Sequence, residues 1–298
     1  MTCHALGLAL AALTGGASLA HAQQKIQLGH AASPTVSVRL IATVGDVWVV
    51  GWDRDSVDLK GTIPDGAQFG MAAGASLERS NGIKAYVEAP PKGTEGDGRL
   101  LLHVPRNARV WVKTGSADID VTGITGGLDL NVVGGSITVR GNPKEVRAES
   151  MDGDIELDGA PEWLRAKTAT GNITMHGGQD VGASTISGTI RSVGGEVERA
   201  KFESTTGNIS FTTGLVRAAS IEFETHSGGV DLELPYKIAM ELDVSTIAGT
   251  IENRWTKARP APGRENRGAT LVTSAGQGGG KITVRSFKGT VVVKGPKG

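Results

Sequence analysis

Six positions set the frame for this chain: Ala117, Gly135, Gly153, Gly171, Gly188 and Gly207 follow one another at steps of 18, 18, 18, 17 and 19 residues. A repeat this short cannot bury its own apolar face, so its copies must stack on their neighbours and share one core. Two residues after each anchor stand Ile119, Ile137, Ile155, Ile173, Ile190 and Ile209, and the column continues as Val230, Ile251, Ile282 and Val291. Four residues after the anchor come Val121, Val139, Leu157, Met175, Phe211, Leu232, Val284 and Val293, with Ser192 and Asn253 as exceptions. Polar residues such as Asp120, Thr138, Glu156 and Thr174 lie between the two columns. Apolar and polar positions alternating at a period of two predict a strand with one solvated face.

A second strand precedes the anchor. Its apolar positions lie seven residues upstream (Val110, Leu128, Val146, Leu164, Val181, Ala200, Ile221, Leu242) and five upstream (Val112, Leu130, Ala148, Ala166, Ala183, Phe202, Phe223, Val244). These are odd offsets and the downstream ones are even, so the parity must break in between. The break reads Ser-Met-Asp-Gly at 150–153, Thr-Ala-Thr-Gly at 168–171 and Ser-Thr-Thr-Gly at 204–207. Hydroxyls that bond nearby backbone, with a glycine able to take positive φ, predict a corner or bulge. A second glycine follows six residues after the first five anchors, at Gly123, Gly141, Gly159, Gly177 and Gly194.

Two arms and two corners make one rung of about 18–21 residues, and about ten rungs at the strand spacing make a rod on the order of 50 Å long. The expected fold class is therefore all-β, a parallel β-solenoid with an N-terminal β cap. Glycine at 44 of 298 residues and aromatics at only 4% suit short strands and tight corners. Val38, Leu40, Gly45, Val47, Val49 and Gly51 fill the repeat offsets early, which makes the N-terminal part an outlying coil of the same stack.

The expected organisation is a secretory signal peptide over 1–22, a polar lead-in linker over 23–34, an N-terminal β region over 35–109 that caps the stack, and the repeats over 110–293 with a loop insertion at 254–280. The signal reading rests on the apolar run from Ala5 to Leu13 and on Ala20-His21-Ala22 as a small-x-small cleavage site. Cys3, the single cysteine, falls in that segment, so neither a disulfide nor a lipid attachment site is expected. No other stretch is apolar enough to span a bilayer. Lys plus Arg and Asp plus Glu balance at 31 each, which gives no net field toward nucleic acid.

The segment from Leu40 to Asp53 (Leu-Ile-Ala-Thr-Val-Gly-Asp-Val-Trp-Val-Val-Gly-Trp-Asp), Val104-Pro105 before the repeats, and the serial Ser/Thr-x-x-Gly-x-Ile units resemble an exported bacterial β-strand-repeat family labelled "putative adhesin". It is a domain-of-unknown-function family, and the resemblance covers roughly residues 35–293. It implies a parallel β-solenoid in the cell envelope and carries no catalytic residues.

Motifs for chemistry are incomplete. Gly-Gln-Gly-Gly-Gly-Lys at 276–281 lacks the glycine and the Ser/Thr that a phosphate loop needs, because Ala275 and Ile282 occupy those places. Asp53, Asp55 and Asp58 lack the other ligands of a calcium loop. His30, His103, His176 and His226 have no zinc spacing. Asp118 with Asp120, and Asp152 with Asp154, are the acids that a glycan-active β-helix enzyme would use if they converged. The insertion offers a candidate interaction loop of Arg254, Trp255, Lys257, Arg259, Arg264 and Arg267, in which Trp255 either stacks on a sugar ring or tucks against the stack.

The resulting expectation is a non-enzymatic structural or interaction module, exported to the periplasm or cell surface. It has no catalytic residues, cofactor or metal, and its partner is an envelope protein or a glycan. The alternatives are a glycan-active enzyme and an envelope-stress sensor, and the oligomeric state stays open.

Overall fold

The computed structural model describes residues 23–74, 80–90, 98–235, 238–276 and 279–296. The expected signal peptide and most of the Pro/Gly loop after Ala89 lie outside them. The chain is all-β. Among the described residues, 24 strands join one mixed sheet, and the helical content is a single 3₁₀ turn at Arg264–Asn266.

Two parallel ladders carry the core. In the first, the strands after the anchor pair in register, so that Leu100, Val47, Ile119, Ile137, Ile155, Ile173, Ile190, Ile209, Val230, Val291 and Ile251 lie side by side in that order. In the second, the order is Ile83, Val38, Val110, Leu128, Val146, Leu164, Val181, Ala200, Ile221, Ile282 and Leu242. All of these side chains are buried. Removing one Ile side chain from water is worth about 1.5–3 kcal/mol, and like residues stacked in register repeat that gain along the ladder. Phe202, Phe211 and Phe223 thicken the core toward the C-terminal end, with Phe202 stacked 5.2 Å from Phe223.

The two exceptions to the apolar columns have partners. Ser192 is buried with its hydroxyl 2.6 Å from that of Thr213. The Asn253 amide donates to the Thr256 hydroxyl and the Ala258 carbonyl, both at 2.8 Å, and so ties down the start of the insertion.

The corners form as the hydroxyl pattern predicts. Ser150 Oγ accepts from the Gly153 N–H at 2.9 Å and donates to the Gly135 carbonyl at 3.1 Å; Thr168 does the same between Gly171 and Gly153. These two hydroxyls fasten one corner to the corner before it, whereas Thr225 and Thr246 close their own corners by donating to the Gly228 and Gly249 carbonyls. The reason for the anchor glycine differs from the expectation. Positive φ is found at Gly123, Gly141, Gly159, Gly177 and Gly194, the second glycines, and at none of Gly135, Gly153, Gly171, Gly188 or Gly207. At these anchors a Cβ would overlap the carbonyl oxygen of the anchor one unit earlier. The requirement there is closeness between stacked backbones rather than handedness.

Three further expectations are corrected. Ile282 belongs to the second ladder, beside Ile221 and Leu242, so Gly280 is no anchor. The last unit is built on Ser286-Phe287-Lys288-Gly289, with Val291 in the first ladder. Residues 23–34 are not a linker, because they open the strand Gln23–Ala42, whose first part pairs antiparallel with Ser56–Pro64. The insertion at 254–280 is only partly loop: its strand Ala269–Ala275 pairs antiparallel with Met240–Thr246 at the C-terminal end of the second ladder. At the other end, Gln68–Ala73 and Ser56–Pro64 run antiparallel against Ser80–Glu88 and Arg99–Pro105, which covers parallel edges that would otherwise be open to pairing.

Candidate functional site

The corner joining the two ladders turns two residues per unit outward: a mostly polar one directly before the anchor (Asp152, Thr170, Ser187, Thr206, Lys288) and, two residues before the anchor, one that forms a row along the edge. In spatial order the row is Val133, Met151, Ala169, Ile186, Thr205, His226, Phe287 and Ile247. Five of them are large, apolar and exposed: Val133 by 50%, Met151 by 55%, Ile186 by 57%, Phe287 by 42% and Ile247 by 60%. The His226 ring lies flat on Phe287, with centroids 4.7 Å apart and an angle of 4° between the planes. Scattered exposed apolar residues are ordinary, but a row of them along one edge marks a surface for contact.

Beside this row runs a groove. One part, of about 570 Å³, is floored by the buried hydroxyls of Thr168, Thr185, Ser204, Thr225 and Ser286 and flanked by Ser184, Glu203, Glu224, Ser245 and Arg285. A second part, of about 340 Å³, carries it toward the N-terminus past Val133, Met151 and Ala169. The flanking charges are engaged with one another. Lys201 reaches Glu203 at 2.9 Å and Glu224 at 3.4 Å, and Arg285 bonds both carboxylate oxygens of Asp243, at 2.9 and 3.0 Å. That pairing holds the Asp243 carboxyl below the usual carboxylate range. The sequence reading treated this column only as corner residues. Its signal is readable once the units are aligned, because Val133, Met151, Ile186, Ile247 and Phe287 recur at a position where a solvated turn would be polar.

The candidate acids take other roles. One residue after the anchor, Asp118 Oδ1 accepts the Ser136 N–H at 2.8 Å, and Asp154 Oδ1 accepts the Asn172 N–H at 2.6 Å. Asn172 repeats the bond to Thr189 and Asn208 to Gly229. These oxygens hold the next unit's backbone. Asp120 is paired with Arg140 at 2.7 Å, and Asp152 accepts from the Thr170 hydroxyl at 3.2 Å. Because asparagine serves the same bond at 172 and 208, Asp154→Asn is expected to melt within about 0.5 kcal/mol of the parent. Asp154→Ala, which leaves the N–H of residue 172 without its acceptor, is expected to lose about 1 kcal/mol in denaturant titration.

Asp53 and Asp58 each hold a cation, Arg106 at 2.7 Å and Lys60 at 2.6 Å. Among the described residues no three of His, Cys, Asp and Glu gather as metal ligands. His103 stacks on Trp52 at 4.8 Å, where burial lowers its pKa against the nearby Asp58 carboxylate. In the insertion, Trp255 is 6% exposed and its indole N–H donates to the Pro235 carbonyl at 3.3 Å, so the ring packs inward and is not a solvent-facing platform for a sugar. Arg254 and Arg267 pair with Glu252 and Glu265, and Lys257, Arg259 and Arg264 stand outside with no partner among the described residues.

No family model matches the chain, and no curated protein matches it either. Solved structures do. A "putative cell adhesion protein" from Clostridium sporogenes is 8% identical with a TM-score of 0.28, covering 92% of this chain and 100% of its own. A "putative adhesin" from Bacteroides fragilis is 11% identical with a TM-score of 0.44, covering 93% and 99%. A "putative lipid binding protein" from Parabacteroides distasonis is 13% identical with a TM-score of 0.45, covering 92% and 97%. At these identities and scores, none of the three lends a role to any residue here.

Proposed function

We propose that this protein is an exported, non-enzymatic parallel β-solenoid of the cell envelope, an adhesin-like interaction module that presents its long corner edge to a partner. The observation that carries the reading is the exposed apolar row from Val133 to Ile247 beside its groove. The engagement of Asp118 and Asp154 in backbone bonds favours this over glycan chemistry, since an acid or nucleophile in that chemistry needs a carboxylate facing the substrate. In this reading residues 1–22 are removed on export, residues 35–109 cap the stack, and the cation-bearing insertion borders the far end.

The test is co-sedimentation of the purified protein with cell-envelope fractions. The double variant Ile186→Glu/Phe287→Glu, which alters only exposed side chains, is expected to lose at least tenfold in retention while melting as the parent does. Retention of that variant at the parental level would sink the corner as the contact edge. Release of reducing sugar from any envelope glycan, abolished by Asp118→Asn, would replace this reading with the enzymatic one.

A further inference from the structure

The outer face of the second ladder is not uniform in charge. Along its middle and C-terminal stretch, cations hold neighbouring carboxylates: Arg147 with Glu149, Arg165 and Arg199 with Asp180, Lys201 with Glu203, and Arg285 with Asp243. At its N-terminal end the pattern changes. Three adjacent strands run there, Ser80–Glu88, residues 37–42, and Arg109–Thr114, with Val38, Leu40, Val110 and Val112 turned inward. The opposite parity turns Lys84, Arg39, Arg109 and Lys113 out to solvent, and none of the four has an ion-pair partner among the described residues. The carboxylates on the same rows are Asp129, which accepts the Asn131 amide at 2.6 Å, Glu145, which leans with Arg109 over Gly127, and Glu149, which Arg147 holds at 2.7 Å; Glu88 lies beyond the paired rows at a strand end.

Between the cations lie flat apolar surfaces. Tyr86 is 43% exposed and sits beside Ile41, itself 38% exposed. The Arg39 guanidinium lies 4.8 Å from the centre of the Trp111 ring, a cation–π contact that steadies it beside the groove. A groove of about 550 Å³ opens beside Arg39 and Lys84. Adjacent strands are about 4.8 Å apart and alternate residues about 7 Å apart, so these cations form a two-dimensional array rather than a single point of convergence. Such an array fits an extended partner with repeated anionic groups and ring faces between them.

We propose that this face binds an acidic polysaccharide, with sugar carboxylates on Arg39, Lys84, Arg109 and Lys113 and a ring laid on Tyr86. The site is separate from the exposed apolar row and meets the corner groove only at Lys113, which lines the groove's N-terminal part.

The experiment measures binding of the purified protein to polygalacturonate, with neutral dextran and phosphatidylglycerol vesicles as parallel probes. Binding to polygalacturonate is expected to exceed binding to dextran and to weaken steeply between 50 and 200 mM salt, over which the Debye length falls from about 14 to about 7 Å. The variant Arg39→Gln/Lys84→Gln/Arg109→Gln/Lys113→Gln is expected to bind about thirtyfold more weakly with an unchanged melting temperature. The control Arg254→Gln/Arg264→Gln/Arg267→Gln, at the far end, is expected to keep full affinity. Absence of polygalacturonate binding, equal binding to dextran, an unaffected quadruple variant, or binding to vesicles alone each overturns the assignment.

Discussion

Ile173→Asp is expected to abolish the soluble folded protein. Ile173 is fully buried between Ile155 and Ile190 in the first ladder. Losing its side chain costs about 2–5 kcal/mol in packing and transfer. Placing a carboxylate there adds several kcal/mol more of desolvation, because no cation lies within the apolar interior. The sum reaches the whole stability of a typical domain, about 5–15 kcal/mol. Thr174→Asp, one residue on and facing outward, is the matched control, expected to change stability by about 0.5 kcal/mol. The check is the soluble fraction on expression together with far-UV circular dichroism. Parental melting of Ile173→Asp would mean that the isoleucine column is not the interior of the stack.

The second large effect separates two kinds of glycine. Gly194 has φ 65° and open space where a Cβ would go, whereas Gly171 has unremarkable φ and a neighbouring backbone in the way. A rule based on φ alone ranks Gly194→Ala as the more damaging change, at about 1–2 kcal/mol. The packing geometry reverses the order. In Gly171→Ala the new methyl overlaps the Gly153 carbonyl oxygen, which is backbone and cannot rotate away, so two units must move apart. A cost of about 3 kcal/mol is expected, the upper end for forcing a group into a filled space. Urea titrations of both variants decide it, and a Gly194→Ala loss larger than the Gly171→Ala loss would refute the close-approach account.

The repeat was legible because it is written in local terms. Period-two alternation, a parity break and a hydroxyl three residues before glycine are each consequences of short-range backbone geometry, and they placed Ile119 through Ile209 in one column. Spatial order at the two ends was not legible. Nothing near Val47 says that Leu100 and Ile119 will flank it, since that choice depends on segments more than 50 residues away. Gly280 misled because Ile282 and Val284 satisfy the post-anchor offsets as well as the pre-anchor ones, and only the Ser286–Gly289 corner beyond them breaks the tie. The exposed row from Val133 to Ile247 was hidden for a related reason. Each unit contributes a single side chain, and a single apolar residue in a turn carries no message until stacking sets it beside the next. The Trp255 ring was open to two readings, and its burial followed from packing against Pro235, which sequence spacing does not encode.

The two early strands that carry Val38 and Val47 and the two late ones that carry Ile282 and Val291 are each clasped on both flanks by other segments at those residues. Tension applied at Gln23 would first peel Gln23–Ala31, which is bonded on one flank only, to Ser56–Pro64, and would then reach residues 37–42, which are bonded on both. From there inward, two rows of bonds must rupture together before the chain gives way.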